Sequence, residues 1–341
     1  MPAFITHCLF AEEVLESIDF EKIQSLNIKK EVALRNPLYM LGAQGPDIFF
    51  FYKAKPWQKY DGIEKLAMMM HDSRTGDFFS ESAEYLRTYL KAGSRFYSIL
   101  AYLLGYICHY SLDRNAHPLI HYKSGIDTKK DRSTHKYHNY HKRYEAILDV
   151  YMLKKIKGLD AYKFNTVQLI YTDGKYNETL KSFYFYIVNR VYKIDISEKQ
   201  VEIALQDTFS ILNALHDPNG AKSAVFRAIE KIYGKEDDIL SLIYPRNIDS
   251  YGDFLNLENK NWVHPCDKNL SCTKSFADIY NDAKNEAVNL AEDFISYAAN
   301  TTHKLDFFKK FNFSYATGLD CETAEDLRYF DCIFDKTGKS L

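Results

Sequence analysis

Apolar positions recur three and four residues apart along most of the chain, and that period predicts helices. The stretch FAEEVLESI (10–18) shows it first, followed by FFSESAEYLRTYL (78–90) and RFYSILAYLLGYICHYSLD (95–113). A fourth helix is predicted over 133–156, with Ser133 or Thr134 as its N-cap. Segments 180–194, 197–215, 221–234 and 275–300 continue the pattern, and only TVQLIY (166–171) reads as a short strand. Gly and Pro collect in two connections, 41–62 and 243–274, which read as long functional loops. The expectation is an all-α fold, a multi-helix single domain over 1–300, with 301–341 as a C-terminal appendage.

Composition narrows the class. The 341 residues are 46% hydrophobic and 26% charged, a globular balance, and the net charge of −2 gives no basic field for nucleic acid. No specific nucleic-acid partner is expected. The six cysteines form no CxxC pair, so neither a disulfide framework nor a thiolate zinc site is indicated, although Cys266 and Cys272 are spaced to bridge a loop. The first residues lack a basic-then-apolar leader, and no apolar run reaches the 18 or so residues of a membrane span. A soluble, cytoplasmic protein is the expectation.

Histidine changes the picture. Eight of the eleven lie in the first 141 residues. In GYICHYSLDRNAHP (105–118), His109, Asp113 and His117 stand four apart inside an apolar run. Each such step turns only about 40° around a helix, so the three share one face. His141-x3-Glu145 repeats the spacing, with His138 one turn earlier. Imidazole and carboxylate at i, i+4 can converge on one cation, and without thiolate the set suits Zn²⁺, Fe²⁺ or Mn²⁺. Asp47 sits on the corner GPD, stiffened by Pro46; His71 ends an apolar segment, and His7 opens the first helix.

Taken in order, THCLFAEEVL, LGAQGPDIFFFY, MMMHDS, LLGYICHYSLDRNAHP and HKRYE resemble the zinc-dependent phospholipase C family over about residues 1–150. The resemblance extends more weakly through NWVHP and the helix from Ser275. It implies two or three Zn²⁺ per chain. Asp47, His71, His109 and Asp113 would surround the first. His117, His141 and Glu145 would hold the second, with His138 as the alternative to His141. Asp113 would bridge to a third that also takes His7. The implied activity is a phosphoric diester hydrolase in which a zinc-activated water attacks phosphorus, Asp47 acting as general base. A phospholipid or another phosphodiester is the implied substrate.

Two departures stand out: a Met-Pro start lies six residues before His7, where secreted members use their N-terminal amine, and the gap from His117 to His141 is wide. Peripheral membrane contact is suggested by the run Ile48–Tyr52 and by the basic residues Lys123, Lys129, Lys130, Arg132, Lys136, Lys142 and Arg143. Ordinary core packing and a solvated helix face explain the same residues. Three rival readings stand beside the phospholipase. The fungal single-strand zinc nucleases are similar in architecture. An HD-type phosphohydrolase would use His71-Asp72 and leave His141 and Glu145 idle. A non-catalytic protein would bind metal without hydrolysis.

Overall fold

The computed structural model describes residues 4–23, 25–55, 57–59, 61–90, 93–128, 131–233, 238–299, 305–323 and 325–337. Helices dominate, as the periodicity predicts. The first seven are α1 (Phe4–Ser17), α2 (Leu26–Ala33), α3 (Asn36–Gly42), α4 (Leu66–Asp72), α5 (Thr75–Tyr89), α6 (Ser94–Ser124) and α7 (Lys136–Lys157). Then come α8 (Val167–Ile170), α9 (Asn177–Ile187), α10 (Glu198–Leu215), α11 (Ala221–Tyr233), α12 (Phe276–Ala299) and α13 (Ile333–Thr337). The only described strands, β1 (Trp262–Val263) and β2 (Ser271–Cys272), form a two-residue antiparallel ribbon within the segment 243–274.

The 31-residue α6 is the axis of the molecule. Its run from Ser98 to Asp113 is buried without interruption, which an amphipathic surface helix could not sustain. Helices α1, α3, α7 and α12 pack around it. Burying its Leu, Ile, Tyr and Phe side chains against four neighbours contributes about 1.5–3 kcal/mol each in transfer free energy. That investment fixes the rotation of α6, and so the direction in which its polar residues face.

Several local expectations are corrected. Within TVQLIY, Val167–Ile170 form the single turn α8, because the Asn165 side chain accepts from the Val167 amide and no described strand lies alongside to pair with it. The segment 41–62 is not all loop. Its start is the end of α3 and a tight helical turn over Gly45–Phe50, with Pro46 near the start of that turn. Helix α7 begins at Lys136, after a turn capped by Asp131, whose side chain accepts from the Ser133 amide; neither Ser133 nor Thr134 is the cap. All six cysteines are free thiols, so no bridge joins Cys266 to Cys272.

The suggested lipid-facing residues are mostly spent inside the protein. Ile48, Phe49, Phe51 and Tyr52 are core residues. Lys123 is buried on the Asp253 carbonyl and Asn256, Lys142 reaches Asp238, and Arg143 donates to the carbonyls of Leu240 and Ile243. Lys129 and Lys130 lie outside the described residues. No described helix is long and apolar enough to cross a membrane.

Candidate metal centre

Helix α6 brings His109, Asp113 and His117 to one face, and its neighbours bring the rest. Helix α1 supplies His7, the turn after α3 supplies Asp47, α4 supplies His71, and α7 supplies His141 and Glu145. All eight residues singled out in the sequence converge. Three groups of side chains each place their donor atoms within 4.8 Å of one another: His7–His109–Asp113, Asp47–His71–His109, and His117–His141–Glu145.

Asp113 stands between the first two groups. Its Oδ1 is 3.0 Å from His7 Nε2, while its Oδ2 is 3.1 Å from His109 Nε2 and 3.8 Å from His71 Nε2. Asp47 Oδ1 is 3.0 Å from His71 Nε2. In the third group, Glu145 Oε1 lies 3.2 Å from His141 Nε2 and 3.5 Å from His117 Nε2. His138, by contrast, is exposed and belongs to none of these groups, so the structure favours His141 as the partner of Glu145.

Backbone carbonyls orient the rings. Nδ1 of His71 is 2.7 Å from the Ala67 carbonyl, that of His109 is 3.2 Å from Ala43, and that of His117 is 2.8 Å from Tyr315. Each carbonyl calls for a proton on Nδ1, which turns Nε2 to the carboxylates, and on His109, which burial keeps neutral, that Nε2 presents a lone pair. Two lone pairs facing each other repel unless something positive lies between them. Consistent with that, Asp47 Oδ1 and His109 Nε2 are buried and make no hydrogen bond among the described residues, despite neighbours about 3 Å away. The donor set therefore fits divalent cations.

Electrostatics agrees. Burial opposes ionisation of Asp113, yet His109, His117 and His7 outweigh it and hold the carboxyl well below the usual carboxylate range. Asp47 is likewise buried and likewise lowered, by His109 and His71. Burial would push His117 down, but Asp113 and Glu145 raise it to about 9. His109 and His141 are lowered by burial.

Asp47, His71, Asp113, His117, His141 and Glu145 line a cavity of about 150 Å³ together with Phe50, Met68, Asp72, His121 and Ala316. Asp72, the partner required by an HD-type arrangement, is exposed and meets Ser314 instead of joining a metal-competent group. His141 and Glu145 are not idle, as that arrangement would leave them. Sequence reasoning passed over His121 and the segment 314–317. His121 was available as the fourth member of the series 109, 113, 117, 121; Tyr315 carried no local signal. Its ring packs 5.0 Å from His71, its amide donates to the His71 carbonyl, and its own carbonyl holds His117.

Asp149, one turn beyond Glu145, was also missed. Fully buried, its carboxylate accepts from the amides of Ile5 and Thr6 at 3.0 and 2.7 Å and from the hydroxyls of Thr6 and Tyr244 at 2.7 and 2.8 Å. It thereby caps α1 and sets where His7 enters the centre.

A family model described as zinc dependent phospholipase C matches residues 6–201 of the chain. No curated protein and no solved structure matches it.

Proposed function

The chain belongs to the zinc-dependent phospholipase C family, and from that premise we propose that it hydrolyses a phosphodiester, a phospholipid in first place, at a centre of two or three zinc ions. One observation carries the reading. The described cavity lining holds four carboxylates (Asp47, Asp72, Asp113 and Glu145) and no Lys or Arg. A phosphodiester anion would be repelled from such a pocket. Two divalent ions offset the four negative charges and a third leaves an excess of +2, so cations make the pocket receptive to phosphate.

His7, Asp47, His71, His109, Asp113, His117, His141 and Glu145 would hold the ions, with Asp113 facing two of the groups. Zinc bound there would supply Lewis-acid charge to the phosphoryl oxygens and lower the pKa of water. Asp47, ionised and buried, is the residue to orient the attacking water and take its proton. The carbonyls of Ala43, Ala67 and Tyr315 orient the imidazoles of His109, His71 and His117, respectively. An apolar rim supports a lipid as the diester: Phe50 and Met68 line the cavity, and Met68 and Met69 are exposed.

The test is hydrolysis by the zinc-loaded full chain of phosphatidylcholine in mixed micelles, bis(p-nitrophenyl) phosphate and a single-stranded oligonucleotide. The expected result is zinc-dependent cleavage of a diester, abolished by chelation, with release of diacylglycerol from the lipid. Asp47→Asn should lower kcat by about 10²–10⁴-fold. Cleavage of the oligonucleotide alone would replace lipid by nucleic acid as substrate. A zinc-replete protein inert on all three would overturn the reading.

A further inference from the structure

His121 lies one turn beyond His117 on α6 and faces the same cavity. Its ring is held between two members of the third group: 4.8 Å from His141, tilted 33°, and 5.6 Å from His117, tilted 38°. It does not itself complete that group, whose convergent donors come from His117, His141 and Glu145. Three protein donors around a tetrahedral ion leave one position open, the mark of a catalytic rather than a structural site. His121 stands beside that opening.

Among the other described lining residues outside the three groups, Phe50, Met68, Asp72 and Ala316 offer no side-chain N–H. His121 is thus the one lining side chain with an N–H that is not already assigned to a cation position. No hydrogen bond or ion pair engages either ring nitrogen of His121 among the described residues. An imidazole carries at least one N–H donor in either charge state, so the role does not depend on titration.

We propose that His121 is a substrate-contacting residue, donating a ring N–H to a non-bridging oxygen of the phosphoryl group beside the His117–His141–Glu145 position. The two tilted neighbouring rings hold the His121 ring in place, so the donor is oriented before the substrate arrives. A hydrogen bond to an ionised oxygen is among the stronger ones a side chain makes.

The inference rests on the phosphodiesterase reading for the identity of the substrate, but its first test does not need turnover. Inorganic phosphate is titrated calorimetrically into the zinc-loaded full chain, with zinc per chain measured by elemental analysis. His121→Phe keeps a flat ring and removes the donor; His121→Gln restores an N–H. The Phe variant should retain its zinc and bind phosphate about ten- to hundred-fold more weakly, the Gln variant recovering much of the loss. For the diester cleaved by the wild type, kcat/KM should fall in parallel. Unchanged phosphate affinity in the Phe variant would overturn the assignment. So would loss of zinc, which would make His121 a ligand or a purely structural support. A wild type that binds phosphate through His121 yet cleaves no diester would sink the proposed function and leave this contact standing. A wild type that cleaves while the Phe variant cleaves equally well would do the reverse.

Discussion

Asp149→Ala is the most discriminating perturbation away from the metal ligands. The carboxylate meets two backbone amides at the start of α1 and two hydroxyls. The hydroxyls can rotate to other acceptors, whereas the amides of Ile5 and Thr6 cannot, and both residues are buried. Leaving two buried donors unsatisfied costs about 2–6 kcal/mol, a large share of a typical domain's 5–15. Burial pushes Asp149 up to about 6 despite its four donors. A folded pKa above the unfolded value of about 3.9 means that the stabilisation is complete below that value and declines as pH rises through about 6. Between pH 4.5 and 7.5 the decline amounts to about 2 kcal/mol, so the variant should lose less at the higher pH. Urea unfolding of metal-free wild type and variant at both pH values measures this. A cost that grows with pH would refute the reasoning, because it would mean a carboxylate stabilised in its charged form. Because α1 carries His7, zinc at the His7–His109–Asp113 group should weaken too.

Three further outcomes are expected. Gly45→Ala should strip zinc from the two groups that share His109 and spare the third, since Gly45 has φ +52° and an added Cβ would come 2.2 Å from the His109 ring; elemental analysis that finds full occupancy contradicts this. His141→Ala should lose the ion of the third group while His138→Ala keeps a wild-type zinc content, and the opposite result would exchange their roles. Zinc binding to the third group at pH 7.5 should release about one proton, because His117 is raised to about 9 while Glu145 is already ionised and His141 is lowered; calorimetry in two buffers of different ionisation enthalpy reads it, and no release would refute it. In the metal-free chain the stability linked to His117 is complete below about 6.5 and lost as pH rises through about 9.

How legible each part was depended on how local its cause is. The helical period and the four-residue spacing of His109, Asp113 and His117 both follow from backbone geometry within a few turns, so one strand of sequence contains them. The distinction between His138 and His141 did not, because it turns on how α7 is rotated against α6. Carbonyls that orient imidazoles leave no trace in residue type: any amino acid at positions 43 or 67 presents the same group. Tyr315 lies 198 residues from His117 and meets it only after the chain folds back. The turn at Gly45–Phe50 was readable, since Pro near a first helical position suits a helix start as well as a loop.

The spacing between Asp47 and His109 comes ultimately from two residues outside the donor set. Helices α3 and α6 pack backbone to backbone because Gly42 and Gly105 have no side chains: a Cβ on Gly42 would lie 2.0 Å from the Tyr102 carbonyl oxygen, and one on Gly105 2.0 Å from that of Tyr39. A methyl group at either place would force the helices apart. Asp47 follows α3 by five residues and His109 follows Gly105 by one turn, so separation of the helices carries these two side chains apart with it. Donor atoms that must lie within 4.8 Å of one another tolerate little such movement. The imidazoles and the carboxylate of α6 supply much of the chemistry, and the bare backbone contact one turn earlier along the same helix sets the distance at which that chemistry can hold an ion.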